Sequence, residues 1–243
     1  MDFGRYIAHR GLHSLTVPEN SLTSFVLAAE KGIAAELDVR LTKDMKLVVF
    51  HDESLKRMCG VDVKLSDLTY DELLKYKLSE TEEHIPLLKD VLKAIGGRVP
   101  VLIEIKRGAP RWVTEKRLHR LLEGCKSQYA VQSFDPISLL WFRLFDRKTP
   151  RGMLVSEKGG NTVFEKLMLK LCAKPFVWKL IADPSFVSYD LKCITLEKVF
   201  AVIDRGADLF TWTADTPELI EAAGTFSKTV IAENFPEGFE FNN

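Results

Sequence analysis

Two short strand-like runs carry acids among apolar residues. In AAELDV, Glu36 and Asp38 stand two residues apart, so in an extended strand both side chains leave one face while Leu37 and Val39 leave the other. VLIEIK repeats the arrangement, with Glu104 and Lys106 on one face and Ile103 and Ile105 on its reverse. If helices cover the apolar faces, three carboxylates and a lysine turn inward near the C-terminal ends of their strands. Buried carboxylates without a partner protonate rather than stay ionised, and a divalent cation removes that difficulty. Oxygen-only ligands suit a hard ion, Mg²⁺ or Ca²⁺, and the absence of a Cys pair or an H-E-x-x-H pattern points away from zinc. A salt-bridge network with Lys106 and Arg10 would satisfy one acid pair; three acids on neighbouring strand ends favour metal.

His9 closes the first strand-like run and His51 closes another, so both can reach the mouth where the acids lie. A lone histidine there would more often be structural. Two beside a metal site fit proton exchange near neutral pH, as general acid and base. His13 sits in a loop, His84 in a polar excursion and His119 on a helix, and none has that setting. Arg10 offers a guanidinium fork matched to two phosphate oxygens, and Lys106 adds a second positive charge. A dication, an arginine, a lysine and two imidazoles suit an anionic substrate with a poor alkoxide leaving group, and phosphodiester cleavage meets that description.

The elements that must position these groups follow from periodicity. Short β-rich runs alternate with amphipathic helical stretches, the pattern of a parallel sheet with helical crossovers. Eight strands are expected, at 6–9, 34–39, 101–106, 129–133, 151–155, 186–189, 208–212 and 229–232. Helices are expected from Asn20 to Lys31, then over 87–95, 111–124, 136–145, 196–205 and 217–223. Eight such repeats in about 250 residues favour an α/β fold of the (β/α)8 TIM-barrel type, as one domain over 1–243. Leu47–His51 is a surplus strand-like run, and 52–85 reads as an insertion after the second strand. Within it, Thr69 and Glu72 form a capping box for a short helix.

Composition narrows the setting. Thirty-four basic residues balance 34 acidic ones, which gives no global attraction for nucleic acid or an anionic membrane. The first residues lack a signal-peptide pattern, and no run approaches the roughly 20 apolar residues of a membrane helix. The cysteines at 59, 125, 172 and 193 are widely spaced, as suits idle thiols in a reducing compartment, so a cytoplasmic location is the default. The stretch 164–181 mixes apolar residues with Lys166, Lys170, Lys174 and Lys179. Such a stretch can lie on a membrane, but a barrel helix with a solvated lysine face explains it as well and is favoured. Oligomeric state is not readable from the chain.

The ordered motifs A-H-R-G at 8–11, P-E-N-S at 18–21, E-L-D-V-R-L-T-K-D at 36–44 and V-V-F-H-D at 48–52 resemble those of the glycerophosphodiester phosphodiesterases. The similarity continues through I-P-L-L-K-D-V-L at 85–92, E-I-K at 104–106, Q-S-F-D-P at 132–136 and W-T-A-D at 212–215, and so covers nearly the whole chain. The resemblance implies a (β/α)8 barrel that hydrolyses a small-molecule glycerophosphodiester to an alcohol and glycerol 3-phosphate. It implies His9 and His51 as acid and base, Glu36, Asp38 and Glu104 as metal ligands, and Arg10 and Lys106 as phosphate contacts. Glu19 and Asn20 fall in its P-E-N segment, where hydrogen bonds would orient the site, although Asn20 could equally cap the first helix. Trp212 would contact the glycerol moiety, or serve as a core aromatic. Ser21, Met45 and the closing I-A-E-N-F-P depart from the family's usual residues, without touching the proposed catalytic set. Water and the glycerol 2-hydroxyl both remain open as the nucleophile. The rivals are a lysophospholipase D-like enzyme acting on lipid phosphodiesters and a non-catalytic phosphodiester-binding barrel; the latter would be expected to lack a histidine or a metal ligand, and none is missing.

Overall fold

Strands and helices alternate along the chain from Tyr6 to Ala232 in the order of a (β/α)8 barrel, as the periodicity predicts. The computed structural model describes residues 2–108, 110–157 and 175–241. They fall into two units, Ala8–Tyr129 and Phe3–Ile7 with Ala130–Asn243.

All the acids and histidines singled out above belong to the unit Ala8–Tyr129. The first strand, β1 (Tyr6–Ala8), leads into it, followed by α1 (Leu22–Glu30) and β2 (Ala34–Leu41). β2 pairs in parallel with β4 (Val101–Ile105), in a register that sets Asp38 beside Glu104. Leu37, Val39, Ile103 and Ile105 are buried, and so are the acids between them, as expected of strands covered on both faces. α4 (Leu88–Ile95) and α5 (Val113–Leu122) complete the crossovers of this unit.

The chain turns sharply between β1 and α1. Arg10 and Gly11 take the left-handed region, at φ of 55° and 79°. The Gly11 amide donates to the carbonyls of Ala8 at 3.3 Å and Glu36 at 3.1 Å. Only glycine fits there, because a Cβ would lie 2.3 Å from Ser24 Oγ. The helix does not open at Asn20 as the sequence suggested. Ser21 is the N-cap and accepts from the Ser24 amide at 3.2 Å, while Asn20, at φ 56°, stays outside the helix with its side chain committed elsewhere.

The surplus run is real but shorter than expected. β3 (Leu47–Val49) pairs antiparallel with β2, Val39 opposite Val49, and His51 lies two residues beyond its end. The insertion that follows is more than a polar excursion. Leu55, Met58, Leu65, Leu73, Leu78 and Ile85 pack with Val48 and Phe50 into an apolar cluster of their own. That cluster anchors two one-turn helices, α2 (Lys56–Cys59) and α3 (Tyr70–Leu73), the latter with the expected capping box of Thr69 and Glu72.

In the other unit, β5 (Tyr129–Ser133), β6 (Arg151–Val155), β7 (Phe186–Asp190), β8 (Asp208–Ala214) and β9 (Thr229–Ala232) pair in parallel in chain order. Between them run α6 (Pro136–Phe145), α7 (Pro175–Ile181), α8 (Leu196–Ile203) and α9 (Pro217–Gly224). Asp135, Thr195 and Thr216 cap three of these helices by accepting from backbone amides of the first turn. Of the basic stretch 164–181, the part before Pro175 lies outside the described residues, as does Cys172. No helix among the described residues is long and apolar enough to cross a membrane.

The turn after β1 makes a direct test. Gly11→Ala meets both a left-handed φ and a steric clash, and is expected to destabilise the protein by about 2 kcal/mol or more. A denaturant melt of the purified variant reads this, and an unchanged midpoint would show that the turn relaxes freely.

Candidate active site

Glu36, Asp38 and Glu104 are all buried, and one carboxylate oxygen of each lies within 4.8 Å of the others. Lys106 enters the cluster from the end of β4: its Nζ is 2.9 Å from Asp38 Oδ1 and also pairs with Glu104. Arg10 enters from the turn after β1, its Nε 3.5 Å from Asp38 Oδ2 and its amide donating to Glu36 Oε2 at 3.0 Å. Asn20 braces Asp38 from behind. Its Nδ2 donates to Asp38 Oδ2 at 2.8 Å, and its Oδ1 accepts from the Asp38 amide at 3.4 Å. Asn20, itself in the left-handed region, thus holds Asp38 and leaves the cap of α1 to Ser21.

The electrostatics show a deficit of positive charge. Burial, followed by the Asp38 and Glu104 carboxylates, drives the Glu36 carboxyl well above its ordinary range. Burial also raises Glu104, even though Lys106 opposes it. At Asp38 burial acts the same way, but Lys106, His51 and Arg10 together outweigh it and hold the group ionised far below the usual range. Lys106 and Arg10 are both raised, because the surrounding carboxylates overcome the burial that would lower them. Two cations, Lys106 and Arg10, pair with these carboxylates and Arg40 feels the charge of Asp38 and Glu104, yet Glu36 and Glu104 are still pushed toward the protonated form. An all-oxygen donor set this close and this short of positive charge fits a hard dication, which would replace that proton.

His51 stands beside this cluster. Its Nδ1 is 2.7 Å from Asp52 Oδ1, and its carbonyl accepts from Arg40 Nε at 2.9 Å. Burial is the main influence on the ring, and with Lys106 and Arg10 it outweighs Asp38 to bring the imidazole down to about 4. The ring is therefore neutral at pH 7. With Nδ1 engaged by a carboxylate, Nε2 is the nitrogen left to exchange a proton. His9 lies in the turn directly after β1, between Ala8 and Arg10. His84 contacts the Tyr76 carbonyl and His119 faces Glu123 one turn along α5, in keeping with structural roles.

Glu19 is bound by two arginines: Arg10 Nη1 and Arg57 Nη2 both reach its Oε1 at 2.7 Å, and Arg57 Nη1 reaches its Oε2 at 2.7 Å. Its carboxyl is correspondingly lowered, since Arg57 and Arg10 outweigh the burial that would raise it. Trp212 belongs to the other unit. It is half-buried on β8, its Nε1 donates to the Ser188 carbonyl at 2.9 Å, and its ring meets Phe134 edge-on with centroids 5.5 Å apart.

The structure thus gathers Arg10, Glu19, Glu36, Asp38, His51, Glu104 and Lys106, all drawn from the sequence by residue chemistry or motif. Asp52, Arg57 and Arg40 were missed as participants. Asp52 could have been noticed as the D of V-V-F-H-D, and Arg40 shares its strand face with Glu36 and Asp38. Arg57 gave no signal, because it lies on an insertion helix whose placement depends on long-range packing.

An α/β barrel with acids, an arginine and an imidazole gathered at the ends of its first strands has the construction of an enzyme that cleaves phosphate esters. A family model described as the glycerophosphoryl diester phosphodiesterase family matches residues 9–237, and the chain belongs to that family. A glycerophosphodiester phosphodiesterase of Caldanaerobacter subterraneus is 37% identical over 229 residues, which cover 88% of this chain and 87% of that one. A solved glycerophosphodiester phosphodiesterase of Thermotoga maritima is 28% identical with a TM-score of 0.72, covering 96% of this chain and 95% of its own. A phosphodiesterase of Oleispira antarctica, solved in complex with the product sn-glycerol-3-phosphate, has a TM-score of 0.78 at 21% identity, covering 95% and 93% of the two chains.

The raised Glu36 carboxyl has a measurable consequence. Its folded-state value lies above the unfolded one, so the stability it contributes is present below about 4.5 and is lost as pH rises through the folded value. A cation that binds the three carboxylates must displace this proton and so binds more tightly as pH rises. Mg²⁺ or Ca²⁺ added to EDTA-stripped protein is expected to raise Tm by roughly 5–10 °C at hundredfold saturation. The rise should be larger at pH 8 than at pH 5 and absent in Glu36→Gln. Scanning calorimetry reads it, and a Tm indifferent to cations at both pH values would remove the metal site.

Proposed function

We propose that this single-domain enzyme, spanning residues 1–243, hydrolyses small-molecule glycerophosphodiesters to an alcohol and sn-glycerol 3-phosphate, with a divalent cation at Glu36, Asp38 and Glu104. The observation that carries the reading is the close-set, charge-deficient trio of buried carboxylates beside Arg10, Lys106 and His51. A bound Mg²⁺ or Ca²⁺ would neutralise charge on the phosphoryl oxygens.

The other steps belong to the chain's own side chains. Arg10 and Lys106 hold the phosphodiester, Arg10 with its fork and Lys106 as a point charge. Glu19 keeps the Arg10 guanidinium in place, since one of its oxygens is committed to Arg10 Nη1. His9 and His51 act as a pair: one imidazole takes a proton from the attacking hydroxyl as the other gives one to the departing alkoxide. The neutral ring of His51, held through Nδ1 on Asp52, presents Nε2 for that exchange. The balanced net charge and the product seen with the Oleispira antarctica phosphodiesterase support a small-molecule substrate rather than nucleic acid.

The test is release of glycerol 3-phosphate from glycerophosphocholine and glycerophosphoethanolamine, with release of choline from lysophosphatidylcholine as the lipid arm. Activity is expected on the glycerophosphodiesters, to vanish in EDTA and to return with Mg²⁺ or Ca²⁺. His9→Ala and His51→Ala should each lower kcat by about 10²–10⁴-fold. Full activity in EDTA or in either histidine variant would overturn the reading, and turnover of the lysolipid alone would redirect it to lipid phosphodiesters.

A further inference from the structure

We propose that Arg57 is a positioning residue for the reaction: from the insertion it joins the phosphate-binding Arg10 and the proton-exchanging His51 through one continuous chain of charged hydrogen bonds. The inference rests on the roles given to Arg10 and His51 under the proposed function.

The chain can be followed atom by atom. Arg10 Nη1 donates to Glu19 Oε1 at 2.7 Å. Arg57 grips the same carboxylate with both terminal nitrogens, Nη2 to Oε1 and Nη1 to Oε2, each at 2.7 Å. Its Nε donates to Asp52 Oδ2 at 2.7 Å, and Asp52 Oδ1 meets His51 Nδ1 at 2.7 Å. Every link joins a cation or an imidazole to a carboxylate, the short and strong class of hydrogen bond.

Isolated surface ion pairs contribute little, but Arg57 is placed differently. All three of its guanidinium nitrogens are committed, two to one carboxylate and one to another, which fixes the plane of both. Without it, among the described residues, the Asp52 carboxyl would be held only by the imidazole it is meant to orient, and Glu19 only by the arginine it is meant to hold. Asp52 as acceptor keeps the ring proton on Nδ1, so orientation and tautomer of His51 both depend on where that carboxyl points. The base of Arg57 is itself fixed, since α2 is anchored by buried Leu55 and Met58 in the insertion's apolar cluster. The insertion therefore has a task in the chemistry: it delivers a guanidinium that aligns two groups on different turns of the barrel mouth. A lysine could reach one carboxylate at a time but not fork across both.

The experiment compares Arg57→Ala and Arg57→Lys with wild type, and adds Asp52→Asn and the Arg57→Ala/Asp52→Asn double variant. Two readouts are followed: kcat and KM on glycerophosphocholine, and the long-range ¹⁵N spectrum of ¹⁵N-histidine protein, with the His51 signals identified by their loss in His51→Ala. In wild type the His51 ring is expected to carry its proton on Nδ1. Arg57→Ala should lower kcat about 10–100-fold, mix the two His51 tautomers, and regain activity with free guanidinium ion but not with methylammonium. Arg57→Lys should recover only part of the loss. The double variant should be no worse than the poorer single one, because both substitutions break one chain. Should Arg57→Ala fail to fold, the lysine variant decides alone: full activity with an unchanged His51 spectrum overturns the proposal. Losses that multiply in the double variant, or no rescue by guanidinium, overturn it as well. If His51→Ala itself keeps wild-type activity, the fault lies with the proposed function and not with Arg57.

Discussion

Three carboxylates crowd into a space where two fixed cations cannot balance them. Burial makes each charge expensive, yet Asp38 remains ionised because Lys106 and Arg10 converge on it. Glu36 and Glu104 are forced toward the protonated form. A protein that gained only stability from this pocket would do as well with apolar residues of similar size. The three carboxylates lie close enough together that one cation could reach all of them. Lys106 and Arg10 approach the acids without neutralising all three, and Asn20 holds Asp38 with two hydrogen bonds.

Holding such a pocket together falls to backbone features outside the strands. The left-handed pair Arg10 and Gly11 brings an arginine amide onto Glu36, and the left-handed Asn20 turns its amide group onto Asp38 before α1 begins. The insertion after β3, with an apolar cluster of its own, extends this support to the outer side of His51. Strands thus present the acids and Lys106, while the turn after β1 holds Arg10 and the insertion supports the imidazole. Positions on regular elements are rigid enough for metal ligands, and the loops above them carry the groups that must meet substrate.

Much of this could be read from residue order because strand geometry is simple. The two-residue period put Glu36 with Asp38 and Glu104 with Lys106 on common faces, and the parallel register of β2 and β4 then set Asp38 beside Glu104. Helices with clear caps also followed, down to the capping box at Thr69. The expectation failed where a residue's part is decided by backbone shape or by distant packing. Asn20 has the chemistry of a helix cap and sits where one is needed, but its positive φ sends it to Asp38 and leaves the cap to Ser21. The segment 52–85 looked polar because its apolar residues are spaced by turns rather than by a regular period, so their shared core was hidden. Arg57 was hidden with them.

The most direct measurement is a crystal structure of the enzyme soaked with Mn²⁺, a stand-in for Mg²⁺ in an all-oxygen site, with data collected for anomalous scattering. A single anomalous peak bound by Glu36, Asp38 and Glu104 is predicted, with Lys106 drawn back from the carboxylates it now contacts. A cluster without a peak, its carboxylates still joined to Lys106 at saturating Mn²⁺, would contradict the central claim and leave the acids as an internal salt-bridge network.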